Sequence, residues 1–502
     1  GWGSNLDDVR ICLNGHNIIL ENGYYRPYIH VTNYHTLTIT DCAEEAGQIT
    51  RKDTADPKGA CIVEIDAGCK FNMFGGEITG LDTSENSAPY PAAVFNRGTF
   101  NLCGGKITGN KSHAVYNENA TMNLYGGEIS GNDTTYTDAS AGAAVVLVSG
   151  STLNMSGGTI KDNISNTLGG GVYAKGIQSR SSTLNFSGGE ISGNRVNSTN
   201  DDLGFDGGGG VYVETGGAFE MSGGSIAGCV AANGSGGGIC NAGTTALSGS
   251  AKIQNCHVHT TKEGGGIWSF ESAGALTVNG NVEITGCKRR TTPDAMYFDN
   301  GTVSGGRFDG EVTKWDGTII GGTFDNRVRN KGGTISGGTF NGKVNNEGNI
   351  ENGTFSGTVE NAAKGKITDG TFTETSTVNN RGTIGGGTFS GTVENKGGTI
   401  KNGIFNGAVE NQASGTISGG TFSGTVTNNG TINGGTFAVT FDTKGGNNVP
   451  VENVLNGQKA DKPADPTREG YTFDGWYTEK GYTNPYDFAT PVTNALTLYA
   501  KW

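Results

Sequence analysis

The 502-residue chain has few of the features that mark several common classes of protein. Its net charge of −13 is spread along the chain without a basic stripe, so it lacks the positive surface that nucleic acid or an anionic membrane requires. It has no apolar run long enough to span a bilayer, and the segment Gly1 to Ser4 has no signal-peptide pattern. We therefore expect no nucleic-acid partner and no membrane insertion within this chain, and we expect any export signal or wall anchor to lie outside it.

Cysteine and proline are also sparse. The nine cysteines are odd in number and contain no CxxC pair, which argues against a complete disulfide framework and against a zinc knuckle. There are 10 prolines against 89 glycines, and hydrophobic residues make up 33% of the chain, a composition that indicates disorder when glycines are scattered. Here the glycines recur in order, so a repeat protein that lengthens along one axis is the better interpretation.

The first repeat region, within residues 1–300, contains one sequence motif many times, as in FNLCGGKITGN from Phe100 and LNFSGGEISGN from Leu184. Apolar and polar residues alternate within it, which is the period of a strand with one buried face. A second short element precedes it, as in AAVFN from Ala92 and GGGIW from Gly264. These patterns predict three short strands per coil and an all-β fold, a parallel β-helix or β-solenoid that we expect to be right-handed.

One column of this predicted β-helix changes its chemistry along the chain. The residue three positions after the repeated isoleucine is asparagine in the earlier coils and cysteine in Cys229, Cys256 and Cys287. Asparagine at a turn can bond to the backbone and to the amide of the next coil. Cysteines stacked in register point the same way, which makes the disulfide torsion difficult, so we expect reduced and buried thiols.

A second region, residues 301–437, repeats every 15 to 17 residues, with nine phenylalanines from Phe308 to Phe437 at one position. Isoleucine, phenylalanine and valine are predicted to form three buried columns, with asparagine at a corner. The coil at Phe372 departs from the pattern, since its valine, Val378, follows six residues later instead of four. We expect a local bulge there. The simplest interpretation of near-identical coils is a spacer.

The last segment, residues 438–502, is richer in proline and aromatic residues and contains GYTFDGWYTE, YDF and LTLYAKW. These motifs resemble the Listeria–Bacteroides repeat, which is similar to the internalin-type B repeat, a small β-grasp-like module of exported bacterial surface proteins. The resemblance implies an extracellular location, at the surface of a Gram-positive-type bacterium or secreted from it. It brings no catalytic residue, and it implies that Trp476, Tyr477, Tyr499 and Trp502 form the module's core.

Many β-helix proteins act on polysaccharides, so catalysis is the main alternative to binding. Hydrolysis needs a pair of carboxylates, and a lyase needs a calcium-bound acidic cluster with a base. Acid pairs occur at Asp7-Asp8 and Asp201-Asp202, but neither the pectate-lyase arginine motif nor the polygalacturonase aspartate set is present. A carbohydrate-active enzyme, a polysaccharide lyase or glycoside hydrolase, is therefore the alternative, and we assign no catalytic residue, metal or cofactor. The pair His257 and His259 is interpreted as surface histidines rather than zinc ligands.

The main hypothesis is an adhesin or host-ligand binder. Four long loops follow the asparagine and cysteine column, and an in-register column makes them leave the solenoid at one corner. The partner is expected to be a host surface glycan or a host protein, with mucin and immunoglobulin as examples. The predicted binding residues combine aromatic area with polar groups, and they are Tyr90, Tyr136, Asp138, Asp201, Asp202, Phe205, His257 and His259.

Overall fold

The structure is a computed structural model that describes residues 8–20, 29–51, 61–83, 91–134, 144–177, 180–197, 207–270 and 275–502. Within these residues the chain forms short strands and turns and no helix. Nearly all strand pairs are parallel and join successive coils, which confirms the predicted parallel β-solenoid. The chain divides into two compact units, Gly1–Thr313 and Lys314–Trp502. The predicted three domains stay a prediction.

The N-terminal unit has three long parallel sheets. Sheet 1 contains Asp8–Cys12, Thr36–Thr40, Lys70–Met73, Thr99–Leu102, Thr121–Leu124, Thr152–Met155, Ser182–Phe186, Gly217–Met221, Thr244–Leu247, Leu276–Val278 and Gly301–Val303. Sheet 2 contains Ile18–Leu20, Gln48–Arg51, Glu77–Thr79, Lys106–Thr108, Glu128–Ser130, Thr159–Lys161, Glu190–Ser192, Ser225–Ala227, Lys252–Gln254, Glu283–Thr285 and Arg307–Phe308. Sheet 3 contains Ile29–Val31, Val63–Ile65, Ala92–Asn96, His113–Glu118, Val145–Val148, Val172–Ala174, Val211–Val213, Ile239–Asn241, Ile267–Ser269, Thr292–Phe298 and Glu311–Lys314.

The repeated sequence motif determines the register of these sheets. Phe100 pairs with Phe71 on one side and with Met122 on the other, and all three side chains are fully buried. The polar residues between them face outward, where Asn101 Nδ2 donates to Asn72 Oδ1 at 2.7 Å. A shift of one residue would move every apolar side chain to solvent, so the shared alternation of apolar and polar residues in each coil specifies one register.

A fourth sheet was not predicted, so the expectation of three strands per coil is wrong for part of this unit. This sheet, which we call the corner sheet, contains Ile164–Ser165, Arg195–Val196, Val230–Ala231, His257–Val258 and Lys288–Arg289. The glycine triplets accommodate it. Gly236 has φ +68°, and a Cβ at Gly237 would lie 2.5 Å from the backbone nitrogen of His257. Larger residues there would clash with the corner sheet.

The asparagine column forms as predicted. Asn132 Nδ2 donates to Asn163 Oδ1 of the next coil at 2.9 Å, and to the carbonyls of Ile107 and Ser130 at 3.0 and 3.1 Å. Cys256, in the continuation of the column, is a buried free thiol. It donates to the equivalent carbonyls, those of Ile226 and Gln254, at 3.7 and 3.5 Å. The thiol sulfur therefore lies within reach of the same two backbone acceptors as the asparagine, but it has one weak donor hydrogen where the amide has two.

The C-terminal unit has smaller coils with one strand in each of three parallel sheets. Its isoleucine sheet contains Thr318–Ile319, Thr334–Ile335, Asn349–Ile350, Lys366–Ile367, Thr383–Ile384, Thr399–Ile400, Thr416–Ile417 and Thr431–Ile432. Its phenylalanine sheet contains Thr323–Phe324, Thr339–Phe340, Thr354–Phe355, Thr371–Phe372, Thr388–Phe389, Ile404–Phe405, Thr421–Phe422 and Thr436–Asp442. Its valine sheet contains Val328–Asn330, Val344–Asn346, Thr358–Asn361, Thr377–Asn380, Thr392–Asn395, Val409–Asn411 and Val426–Asn428.

Stacked rings fill the interior of these coils. Ring centroids from Phe324 to Phe422 are 4.5 to 4.9 Å apart, close to the strand spacing of a sheet. The coil at Phe372 keeps Val378 in register with Val359 and Val393. Its additional residues form a turn, in which the Ser376 amide donates to the Thr373 carbonyl at 3.0 Å, so the irregularity lies in a turn and not in a strand bulge.

The last strand of the phenylalanine sheet is also the first strand of the terminal module. Thr436–Asp442 pairs with Thr421–Phe422 of the last coil, antiparallel with Glu452–Leu455, and parallel with Leu496–Lys501. Gly475–Tyr477 completes this small mixed sheet beside Leu496–Lys501. Trp476 is buried, whereas Tyr477, Tyr499 and Trp502 are half-buried around it, so the predicted core role holds fully only for Trp476.

Candidate functional site

The four predicted binding loops begin at one corner of the N-terminal unit. Asp133, Ile164, Arg195, Val230, His257 and Lys288 pair in parallel from coil to coil, and we call this set the corner ladder. Three of the four loops start at Asp133, Arg195 and His257, which are members of it. The fourth loop starts at Leu81, and its next residue, Asp82, pairs in the same way with Lys111.

The connections on the two sides of the corner ladder differ in their variability. Between sheet 2 and the corner sheet, the connection is two residues in each of the five coils that have a corner strand, as from Ser192 to Arg195. Between the corner sheet and sheet 3, it runs from Val196 to Val211 in one coil and from Val258 to Ile267 in another. Variable segments leaving a constant coil are where repeat proteins commonly carry binding residues.

The described part of the corner presents nitrogen donors. Arg195, His257 and Lys288 lie on the outward face of the corner ladder, and Lys288 is exposed. The His257 and His259 rings meet edge to face with centroids 4.8 Å apart, and His257 Nε2 lies 2.5 Å from the Arg290 carbonyl oxygen. Partial burial, together with the charges of His257 and Arg195, lowers the pKa of His259. Arg195 and Lys288 provide the permanent positive charge at this corner.

A partly buried ion-pair network, in which Asp294 and Glu311 are the buried members, lies at the end of the corner sheet. Arg289 binds Glu263 at 3.2 Å and lies 3.6 Å from Asp294 and 3.9 Å from Glu311. Burial raises the pKa of Asp294 to about 6, although the charge of Arg289 opposes the shift. Asp294 Oδ2 also accepts a hydrogen bond from the Gly264 amide at 3.1 Å. This network fixes the turn between the corner sheet and sheet 3.

Two of the eight predicted binding residues, His257 and His259, can be located, and they lie together at the corner. Tyr90, Tyr136, Asp138, Asp201, Asp202 and Phe205 lie outside the described residues. Sequence reasoning missed the corner sheet itself and the contribution of Arg195 and Lys288. A signal for the corner sheet was present, because glycine triplets precede the sheet 3 strand in four of the five coils that have a corner strand and in no other described coil.

Sequence reasoning also missed a possible metal-ligating group on sheet 3. Among the described residues, the ligand atoms of His30, Glu64 and Asp66 lie within 4.8 Å of one another. His30 Nε2 is 3.1 Å from Asp66 Oδ2, and His30 and Glu64 are paired in register. However, Arg97 Nη1 binds Glu64 Oε1 at 2.9 Å, so this carboxylate already has a cationic partner. An ion pair explains the cluster without a metal.

Residues 437–501 match the Listeria-Bacteroides repeat domain, in agreement with the resemblance inferred from the motifs. The chain is therefore a bacterial repeat-domain protein, and this domain is typical of surface proteins. The match begins at Phe437, the last phenylalanine of the stacked column.

Two curated proteins of Evansella cellulosilytica are similar to a small part of the chain. One is provisionally named a Gly-rich membrane protein and the other a membrane protein, and each is 38% identical over 58 residues. The similarity covers 11% of this chain and only 7% and 9% of the two relatives. No solved structure matches. The described residues include no helix with the length and hydrophobicity needed to cross a membrane.

Proposed function

We propose that this chain acts in an extracellular bacterial surface protein as an adhesin or host-ligand binder, with the solenoid as an extended scaffold. The ligand is a host glycan, a mucin or a host protein such as an immunoglobulin, and it binds at the corner ladder and its loops. The observation that carries this proposal is the shared origin of the long loops at one corner of regular coils.

The chemistry of the corner supports a polar ligand. Arg195 and Lys288 offer charged donors, and His257 and His259 offer ring nitrogens. The predicted binding residues of the loops include Tyr136 and Asp201, which add aromatic contact area and hydrogen-bond acceptors. A surface with donors, acceptors and aromatic rings suits the hydroxyl and charged groups of a glycan or glycoprotein better than an apolar partner.

The terminal repeat domain supports the location of the protein, because it is typical of surface proteins. The names of the two relatives agree with an envelope location.

The coils are stabilised by their interfaces with neighbouring coils, so they need no ligand to stay folded. Residues at the corner can therefore vary for binding without affecting the core.

The test is a quadruple variant in which Tyr136, Asp138, Asp201 and Asp202 become alanine. Binding to a glycan array and to host mucin and immunoglobulin should weaken at least tenfold, which is about 1.4 kcal/mol. The melting temperature should hardly change, because these four positions do not belong to the repeated sequence motif of the coils. A control variant, Tyr125→Ala with Asp461→Ala, changes the same residue types at exposed positions elsewhere and should bind normally.

Two results would contradict the proposal. If binding survives the quadruple variant but is lost when residues 438–502 are removed, the terminal domain is the binder. If no host ligand is retained and the protein instead releases reducing sugars from a polysaccharide panel, the alternative of a carbohydrate-active enzyme is correct.

A further inference from the structure

Cys12 and Cys42 differ from the buried thiols of the corner column. Both are exposed, and their sulfur atoms are 2.7 Å apart. This separation is shorter than the optimum of about 3.5–4.0 Å for non-bonded carbon atoms, and sulfur is larger than carbon. A disulfide requires the sulfurs to move closer by less than about 1 Å. The two side chains are therefore already directed at each other.

The register explains why this pair can be bonded and the corner thiols cannot. Cys12 pairs with Thr40 across sheet 1, so Cys42 is displaced by two positions along the neighbouring coil. Two cysteines at directly paired positions have parallel Cα–Cβ directions, whereas an offset pair can approach from different directions. Cys229 and Cys256 precede the directly paired residues Val230 and His257 and are in register.

The neighbouring Asp41 holds the two turns in place. Its Oδ1 accepts from the Gly15 amide at 2.9 Å and from the Ala43 amide at 3.2 Å, and its Oδ2 accepts from the Gly47 amide at 2.5 Å. Gly15 belongs to the turn after Cys12, and Ala43 directly follows Cys42. One carboxylate thus binds the turns that carry both cysteines, which limits the backbone motion that would separate the thiols.

We propose that Cys12 and Cys42 form a reversible disulfide that joins two successive coils of the N-terminal unit, with a small-molecule or protein disulfide as the oxidant. The Cys12 thiolate attacks the oxidant disulfide and releases one thiol. The Cys42 thiolate then attacks the resulting mixed disulfide at the Cys12 sulfur and releases the second thiol. Two protein thiols lose two electrons and two protons, and one oxidant disulfide gains them and becomes two thiols.

The order of the two steps follows from the acidity of the thiols. The hydrogen bond from the Cys42 side chain lowers the pKa of Cys12, and the same contact raises the pKa of Cys42. Because the thiolate is the nucleophile, Cys12 reacts first and Cys42 resolves the intermediate. The disulfide does not depend on the proposed ligand binding, since it lies outside the corner ladder.

The experiment oxidises the native full chain with glutathione disulfide, blocks remaining thiols with N-ethylmaleimide and maps the peptides by mass spectrometry. We expect one cross-linked peptide that contains Cys12 and Cys42, lighter by two hydrogen atoms than the reduced pair. Cys103, which is only partly buried, should be alkylated in the same sample. Cys42→Ser should abolish the cross-link and leave Cys12 as a mixed disulfide with glutathione, whereas Cys103→Ser should keep the cross-link.

Two outcomes would overturn the proposal: alkylation of both Cys12 and Cys42 after oxidation, or a separate glutathione on each of them. The wild-type mapping decides this even if a serine variant fails to fold. Oxidised wild type should also show slower hydrogen exchange in residues 8–20 than reduced wild type, and Cys42→Ser should show no such difference.

Discussion

The Asn494 side chain binds both the backbone amide and the backbone carbonyl of Val426, although 68 positions separate the two residues. Its Oδ1 accepts from the Val426 amide and its Nδ2 donates to the Val426 carbonyl, each at 2.8 Å. Val426 begins the last strand of the valine sheet, where no further coil of this type follows. The terminal module thus satisfies backbone groups at an edge that would otherwise remain open, which protects the edge from pairing with other chains.

Asn494→Ala should destabilise the C-terminal unit, because it removes both partners of the buried Val426 backbone. Each unsatisfied buried group costs about 1–3 kcal/mol, less where water can enter. Thr493→Ala changes the exposed neighbouring residue and is the control. Urea unfolding with hydrogen exchange of residues 421–437 measures the effect. Equal exchange in the two variants would show that the module does not protect this edge.

Asn395→Ala tests the asparagine column of the C-terminal unit. Asn395 accepts from Asn380 Nδ2 and donates to Asn411 Oδ1, both at 2.8 Å, and it is fully buried. The substitution leaves two buried partners unpaired, so we expect a loss of about 1–3 kcal/mol or more in the free energy of unfolding. Asn406→Ala makes the same change at an exposed position and should be nearly neutral. Similar urea midpoints for the two variants would contradict a structural role for the column.

The buried thiols Cys229, Cys256 and Cys287 should react with a thiol reagent only after unfolding. Hydrogen bonds with the neighbouring Cys229 and Cys287 thiols, and then burial, raise the pKa of Cys256 well above its ordinary value. Little thiolate therefore forms, and the reagent cannot reach the column. Reduced native protein should label at Cys12, Cys42 and Cys103, and the column should label in denaturant. Rapid labelling of the native column, or a disulfide within it, would refute this prediction.

How much of the fold could be predicted from the sequence depends on the length of the sequence motif that each coil repeats. The motifs that contain Phe100 and Phe340 recur with the same apolar positions, so both the buried columns and their register could be inferred. Corner strands such as His257–Val258 have two residues, too few for an alternating pattern to show. Cys12 and Cys42 were missed because residues offset by two positions in neighbouring coils share no repeated position. The binding role of the loops stays a prediction.

Asp294 gives the N-terminal unit a distinctive pH dependence. Burial raises its pKa from the ordinary 3.8 to about 6 in the folded state, so between these values the folded protein binds more protons than the unfolded chain. The contribution of this group to stability is present below pH 4 and is lost as the pH rises through 6. The loss is on the order of 3 kcal/mol, from about 1.4 kcal/mol for each pKa unit.

Asp294→Asn should remove this contribution, because the amide oxygen can still accept the Gly264 hydrogen bond and carries no charge. Between pH 4.5 and 7, the opening free energy of residues 283–298, measured by hydrogen exchange, should fall more in wild type than in the variant. Asp309→Asn is the matched control, since Asp309 is only partly buried and its carboxylate accepts from the Gly286 amide at 2.9 Å. If wild type and Asp294→Asn had the same pH dependence, the carboxyl would not be the titrating group. A variant less stable at pH 7 than wild type would show that the charge of Asp294 is needed by Arg289.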